Sequence, residues 1–165
     1  MISNYIRGNL IDNFFADRYD AIAHGCNCFC AMGNGIAREI RDRIPAAYQI
    51  DQVTTRGYRG KMGSFSQIQV NQGIVYNAYT QYTYWDKDDM LSMTSVELVF
   101  NRINADMKHH GLTKLGIPCI GAGLAHGDWD AISKIIHEVT IDIQIEVVIW
   151  DQETDPKLLK YLNHA

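Results

Sequence analysis

The segment HGCNCFCAMGNGIA (residues 24–37) decides the fold, because it passes from the end of an apolar strand through a glycine-rich loop into a helix. A second segment, IPCIGAGLAHGDW (residues 117–129), has the same order of strand, glycine-rich loop and helix. Glycine allows a ligand to approach main-chain N–H groups closely, and the start of a helix adds unpaired donors and a dipole that favours anions. Two such loops at the carboxyl ends of strands predict the two walls of a site for a diphosphate-bridged ligand.

Neither loop matches a common nucleotide-binding fingerprint. The spacing Gly121-x-Gly123-x-x-x-Gly127 is one residue longer than the Rossmann pattern, and no Gly-Lys-Ser/Thr sequence follows it as in a P-loop. Tight strand-to-helix connections are the alternative interpretation, because glycine-rich turns are common. The ligand site is favoured because both loops occupy the same topological position and both carry histidine together with asparagine or aspartate.

Strand-like and helical stretches alternate around these loops. The runs that predict strands are Asn4–Arg7, Asp20–His24, Ser64–Val70, Gly73–Thr80, Lys114–Ile120 and Ile145–Trp150. Helical periodicity covers Ile36–Ile44, which Pro45 is predicted to end, then Val96–Met107, Trp129–Val139 and a short stretch over Lys157–Leu162. The sequence Asn71-Gln72-Gly73 predicts a hairpin. We therefore expect a single domain over residues 1–165, with a three-layer α/β/α fold and a mixed central sheet of about six strands.

The composition excludes several functional classes. The 165 residues are 47% hydrophobic and carry a net charge of −4, which does not fit the basic surface of a nucleic-acid-binding protein. No apolar run approaches the ~20 residues that a membrane helix needs, and the N-terminus lacks the basic-then-apolar order of a signal peptide. These features predict no nucleic-acid or membrane partner. We further expect a cytoplasmic protein and a monomer.

The four cysteines indicate reduced thiols rather than disulfides or a metal site. Cys26, Cys28 and Cys30 alternate along the chain, and Cys119 stands apart from them. Structural zinc sites usually use Cys-x2-Cys pairs, and unpaired thiols are typical of a reducing compartment. We therefore expect no metal ion and no other cofactor.

The whole chain resembles the macrodomains, a family whose members bind ADP-ribose and its derivatives. Gly8-Asn9-Leu10-Ile11-Asp12 resembles the element that opens the family's sequences, and Asp20-Ala21-Ile22-Ala23 resembles its second strand. Met32–Ala37 is similar to the first ligand loop of the family, and Ile120–Leu124 is similar to its phosphate loop. The resemblance implies the macrodomain fold and a small-molecule ligand, either ADP-ribose or ADP-ribose-1″-phosphate.

The resemblance also narrows the activity. Many macrodomains carry Val-Asn-Ala-Ala-Asn after the second strand, whereas HGCNC (residues 24–28) is similar to the small ADP-ribose-1″-phosphate phosphatases. GAGLAHGDW (residues 121–129) resembles macrodomain proteins of bacteriophages and bacteria. Another branch attacks the ribose with a strand lysine assisted by a loop aspartate. This chain has no lysine between Val75 and Trp85, and Ala125 stands where the aspartate is expected.

Three functions are consistent with these motifs. The favoured one is a phosphatase that converts ADP-ribose-1″-phosphate to ADP-ribose and phosphate without a metal ion. The alternatives are a non-catalytic reader of ADP-ribose and a hydrolase that removes ADP-ribose from a protein or nucleic acid acceptor by a substrate-assisted route.

The predicted catalytic residues are His24, Asn27 and Asp128. An imidazole titrates near neutrality, so His24 is predicted to protonate the leaving oxygen or to orient water, with a satisfied buried histidine as the alternative. The Asn27 amide offers donors and an acceptor to the hydroxyls of the distal ribose, or it is a turn residue. Asp128 is either a general base or the N-cap of the following helix.

The remaining predicted site residues bind the ligand. The resemblance implies that Asp20 reads the adenine amino group and that an aromatic side chain near Trp150 stacks on adenine. Tyr82 is predicted to stack on a base or ribose within a cluster that also contains Tyr79, Tyr84 and Trp85, with core packing as the alternative for half of these rings. His126 is predicted to donate to the 1″-phosphate, or it is a solvated loop residue. The two loops contribute Gly33, Gly35, Ile36, Gly121, Ala122, Gly123, Leu124 and Ala125.

Overall fold

A six-stranded sheet forms the middle of the computed structural model, which describes residues 1–164. The strands are β1 (Ile2–Gly8), β2 (Ala21–Cys26), β3 (Phe65–Val70), β4 (Gly73–Tyr79), β5 (Lys114–Ile117) and β6 (Gln144–Trp150). Their order across the sheet is β1-β6-β5-β2-β4-β3. Only β3 runs antiparallel to its neighbour, because the predicted hairpin returns the chain directly into β4. The mixed sheet is confirmed.

Six α-helices accompany the sheet within residues 1–164. They are α1 (Leu10–Phe15), α2 (Gly35–Arg43), α3 (Pro45–Gln52), α4 (Met93–His109), α5 (Trp129–Val139) and α6 (Pro156–Leu159). A 3₁₀ turn over Lys160–His164 extends α6, so the short C-terminal helix is confirmed one residue earlier than predicted. In this part of the chain, no helix is long and apolar enough to span a membrane.

Two helices were not predicted. Pro45 does end α2, yet it also begins α3, because proline fits the first turn of a helix where its missing N–H is not needed. The six residues of α1 are too few to show a helical period. Their helix is fixed instead by Asn9, whose Oδ1 accepts hydrogen bonds of 3.0 Å from the main-chain nitrogens of Ile11 and Asp12.

The helices cover both faces of the sheet, which confirms the three-layer fold. Alternate strand residues point to opposite faces, so Ala21 and Ala23 of β2 pack against the buried sides of α4 and α5. Ile22, between them, packs with α1, α2 and α3 on the other face. The amphipathic helices thus bury their apolar stripes against a sheet that is apolar on both sides.

The topology places a crevice at one edge of the sheet. The chain leaves β5 through α5 towards β6, but it leaves β2 through α2 and α3 in the opposite direction, towards β3 and β4. Since β2 and β5 are parallel neighbours, their carboxyl ends separate into two diverging loops. Ligands of open α/β sheets bind at such a switch point.

Candidate functional site

A cavity of about 670 Å³ occupies this crevice. The carboxyl ends of four parallel strands supply its floor, through residues 8–10 after β1, 25–27 after β2, 118–120 after β5 and 148–150 in β6. The two glycine-rich loops supply its walls, and Glu153 and Leu158 close one end. The volume is typical of a small-molecule site.

The wall after β2, residues 27–34, is braced by side chains. Asn27 donates from Nδ2 to the carbonyl oxygen of Ala31 (2.8 Å), and its Oδ1 accepts from the main-chain nitrogen of Phe29 (2.9 Å). Gln52 of α3 donates to the carbonyl oxygen of Cys30 (2.6 Å). These bonds fix the loop against its surroundings and leave the main chain around Gly33 facing the cavity.

The same wall ends at the start of α2, where main-chain donors meet the cavity. Asn34 occupies the N-cap position, and among the described residues no side chain caps the helix there. Gly35, Ile36 and Ala37, which form the first turn, all line the cavity. The first-turn amides of a helix have no partner within it and carry the positive end of its dipole. This arrangement suits an anion such as phosphate.

The wall after β5, residues 118–128, is held by its own main chain. Gly127 donates to the carbonyl oxygen of Gly121 (2.6 Å), and His126 donates to that of Gly123 (3.0 Å). Gly121 has a φ of +77°, and a methyl group on Gly127 would lie 2.6 Å from the Gly121 oxygen, so both positions require glycine. At Gly123, by contrast, a methyl group would contact nothing within 4 Å. Its backbone is therefore open to a ligand.

The two walls approach each other across the cavity. The Leu124 side chain is 65% exposed, and its Cδ1 lies 3.9 Å from where a methyl group on Gly35 would stand. Seven of the predicted ligand-binding residues do line the cavity, namely Gly33, Gly35, Ile36, Gly121, Gly123, Leu124 and Ala125.

Of the three predicted ligand contacts that lie outside the cavity, two are Ala122 and Tyr82. Ala122 turns its side chain towards the hydrophobic core beneath the loop. Tyr82 donates its hydroxyl to the carbonyl oxygen of Gly57 (2.8 Å), and its ring packs edge-on against Phe29. The aromatic residue that reaches the cavity from this stretch is Tyr84.

The structure also corrects the prediction for Asp20. Its Oδ2 accepts from the main-chain nitrogens of Thr113 (3.0 Å) and Lys114 (2.9 Å), at the amino ends of β2 and β5. Because these strands are parallel, their amino ends lie at the edge of the sheet opposite the cavity. Asp20 thus joins two strands and does not touch the ligand site.

His24 is buried inside β2 rather than at the rim. It is fully inaccessible to solvent, and its Nε2 lies 2.7 Å from Oδ1 of Asn77 in β4. Burial lowers the pKa of His24 to about 4, although the hydrogen bond to Asn77 opposes this shift. The imidazole is therefore neutral near pH 7 and has no path to a ligand. The structure contradicts the predicted proton transfer and supports the alternative of a satisfied buried histidine.

Asp128 caps α5, and Asn27 lines the cavity. Oδ1 of the exposed Asp128 accepts from the main-chain nitrogen of Asp130 (3.0 Å), and the residue does not line the cavity. The general-base prediction for Asp128 is therefore not supported, because the carboxylate serves the helix. Asn27 lines the cavity at the predicted place, and its amide holds the loop, as the turn-residue alternative has it. Its contact with the distal ribose stays a prediction.

Sequence reasoning missed several residues of the cavity. Asn9 and Leu10 were identified with the family's opening element but were not assigned to the ligand, and Gln81, Glu39 and Glu153 were not considered. Asn9 could have been found by its position, because it directly follows β1 and this strand ends at the same edge of the sheet as β2. Glu153 and Leu158 are brought in by the C-terminal segment, for which the sequence shows no such signal.

The thiols at the cavity are not activated. Burial raises the pKa of Cys119 to about 12 and raises the pKa of Cys26 well above its ordinary value. Both therefore remain protonated near neutral pH, and the protonated thiol is a poor nucleophile. Within residues 1–164, no three His, Cys, Asp or Glu side chains are grouped so that they hold a metal ion.

Comparisons with known proteins agree with this geometry. The family model of the Macro domain matches residues 23–136. A 17.5 kDa protein of Enterobacteria phage T4, from the tk-vs intergenic region, is 30% identical over 158 residues, which cover 92% of this chain and 98% of that protein. The human ADP-ribose glycohydrolase OARD1 is 22% identical over 146 residues, covering 88% of this chain and 89% of that protein.

A solved structure shares the fold. Thermosipho africanus DarTG in complex with ADP-ribose superimposes with a TM-score of 0.71 and 17% identity, over 91% of this chain and 43% of that one.

Proposed function

The chain belongs to the macrodomain family, and from that premise we propose that its cavity binds the ADP-ribose group. The observation that carries the proposal is the pair of facing loops, one ending in the open first turn of α2 and the other exposing the backbone of Gly123. A diphosphate between them receives main-chain hydrogen bonds from one side and the helix dipole from the other.

The two ends of the cavity suit the two ends of ADP-ribose. Trp150, which is 49% exposed, and Asn9 lie at the β1/β6 end, where the half-exposed indole ring offers a face for adenine. Asn27 and Gln81 lie at the β2/β4 end, where their amides offer donors and acceptors to the hydroxyls of the distal ribose. We place adenosine at the first end and the distal ribose at the second.

Hydrolysis of ADP-ribose-1″-phosphate is a second candidate function. It is favoured by the open main chain at Gly33 and Gly123, where added methyl groups would meet nothing within 4 Å and where phosphoryl oxygens find room. His24 and Asp128 are no longer part of this proposal. The reaction would depend on positioning and on main-chain donors that stabilise the phosphoryl oxygens. The stretch from Val75 to Trp85 reaches the cavity with Gln81 and contains no lysine, and Ala125 stands where another macrodomain branch is expected to have an aspartate. We therefore do not propose lysine-dependent chemistry.

Calorimetric titration tests the binding proposal. ADP-ribose should bind at least tenfold more tightly than AMP, because AMP engages one end of the cavity and only one phosphate. Equal affinities would contradict the contribution of both loops. A parallel assay of phosphate release from ADP-ribose-1″-phosphate tests the second candidate, and tight binding without release would leave recognition as the function.

A further inference from the structure

We propose that a groove beside the β2/β4 end of the cavity receives a positively charged side chain of a peptide to which the ADP-ribose group is attached. The inference rests on the proposed function, and it names the class of molecule that is covalently joined to the distal ribose. The groove is lined by Asn34, Tyr84, Trp85, Asp86, Lys87, Asp88, Met90, Leu124 and His126.

The groove continues the cavity. Asn34, Tyr84, Met90 and Leu124 line both of them, and all four lie towards the loop tips and the segment after β4. With the distal ribose at Asn27 and Gln81, a group attached to that ribose leaves the cavity in this direction. The groove is therefore the surface that an attached acceptor meets first.

Two aromatic rings of the groove are exposed and held in place. The side chains of Tyr84 and Trp85 are 48% and 59% exposed. Trp85 packs edge-on against Phe29, with ring centroids 4.7 Å apart, and against Tyr84 at 4.9 Å. A fixed, exposed indole ring attracts a cation above its face.

The charges of the groove favour the same ligand. Asp86 and Asp88 line the groove together with a single lysine, Lys87, so its carboxylates outnumber its lysine and arginine side chains. Such a surface repels phosphate groups and attracts a guanidinium or ammonium group. A peptide with basic side chains fits it better than a nucleic acid strand or a free phosphate.

The protein already builds a cation site of this composition next to the groove. The Arg59 guanidinium lies 3.6 Å from the ring centroid of Tyr82, and it forms a two-pronged ion pair with Asp89 at 2.8 and 3.0 Å. The ring of Phe29 packs against both Tyr82 and Trp85. Trp85, Asp86 and Asp88 likewise bring a ring and carboxylates to one groove, and among the described residues no lysine or arginine lies over the indole.

Two peptides test the inference. Both carry ADP-ribose on a central serine, and the flanking residues are arginine in one and glutamate in the other. The arginine peptide should bind the wild-type protein about tenfold more tightly than the glutamate peptide, and this ratio should shrink as salt is added. In Trp85→Ala the ratio should fall to about two, while the affinity for free ADP-ribose stays within twofold of wild type.

Matched variants and further ligands complete the experiment. Tyr58→Ala removes an exposed ring outside the groove, and Glu97→Gln removes an exposed charge on α4, so neither should alter the ratio. Asp88→Asn should lower it. Equal affinity for the two peptides, or tighter binding of an ADP-ribosylated DNA end, would overturn the inference while ADP-ribose binding stands. Failure to bind free ADP-ribose would instead overturn the proposed function, and this inference with it.

Discussion

The loops after β2 and β5 form opposite walls of one cavity, yet they are held in different ways. The loop after β2 is bonded to neighbouring segments, because Gln52 of α3 donates to it and the Cys28 main chain bonds with Tyr82 and Gly57, while Asn27 bonds twice within it. The loop after β5 depends on main-chain bonds between its own glycines, such as that from Gly127 to Gly121. Leu124 at its tip is largely exposed.

This difference indicates how each wall couples to the rest of the protein. The bonds from Gln52, Tyr82 and Gly57 join the β2 loop to the rest of the fold, so variants that loosen this loop should change both stability and binding. A loop held by its own main chain can change at its tip without disturbing the core. Variants at the tip of the β5 loop should therefore change binding alone.

The largest effect is expected for Gly123→Val, at the tip of the β5 loop. The valine side chain enters space that is empty in the protein and that the diphosphate occupies in the proposed complex. We expect about 100-fold weaker binding of ADP-ribose, which equals roughly 2.7 kcal/mol, and an unchanged free energy of unfolding. Calorimetry and urea unfolding measure the two quantities, with Ala105→Val on the exposed face of α4 as the control. A strongly destabilised Gly123→Val protein would contradict the distinction between the loops.

Asn27→Ala should have the next largest effect, and it should change both quantities. The substitution removes the two hydrogen bonds that brace the β2 loop and leaves their partners partly buried. We expect a loss of about 2 kcal/mol in the free energy of unfolding and roughly tenfold weaker binding of ADP-ribose. If stability were unchanged in urea unfolding, the bracing role of Asn27 would be wrong.

His24→Ala separates stability from binding, because the His24 side chain lies beneath the β2 loop but outside the cavity. It removes the partner of Asn77 in the core, so we expect about 2 kcal/mol of destabilisation at pH 7. The affinity for ADP-ribose and any release of phosphate should stay within about twofold of wild type. A selective loss of turnover in a stably folded variant would restore the catalytic role that the structure removes.

The same residue makes stability depend on pH. The pKa of His24 is about 4 in the folded protein and ordinarily near 6.5, so between these values the unfolded chain binds more protons. The contribution of His24 to the free energy of unfolding is therefore fully present above about pH 6.5, and it falls by about 3 kcal/mol as the pH decreases to 4. Urea unfolding in this range should show that decrease in the wild type, and His24→Ala should lack this part of it.

The smallest effects are expected at Asp128. Asparagine caps helices as well as aspartate does, so Asp128→Asn should leave stability and binding unchanged, whereas Asp128→Ala should cost about 1 kcal/mol of stability. Thermal unfolding distinguishes the two variants. A loss of phosphate release in Asp128→Asn, with stability and ADP-ribose binding unchanged, would show that the carboxylate acts as a base.

The sequence predicted those parts of the molecule that leave a local pattern. Apolar runs located the strands and glycine positions located both loops. Both signals can be read locally, because a strand is a continuous run of residues and a tight turn needs glycine at a given position. The direction of a side chain in three dimensions left no such pattern. His24 ends an apolar run whether it points into the core or into a cavity, and Asp20 has to be placed at the amino end of its strand before its distance from the site is evident. Glu153 reaches the cavity only through the return of the C-terminal segment.

Amide hydrogen exchange with and without ADP-ribose tests the central claim, that both loops bind one ligand. In the free protein, the amides of residues 121–125 should exchange faster than those of the braced residues 27–31. Saturation with ADP-ribose should slow exchange at residues 33–37 and at residues 121–125 together, and leave the amides of α4 unchanged. Protection of only one loop, or protection elsewhere in the protein with both loops unchanged, would contradict the account.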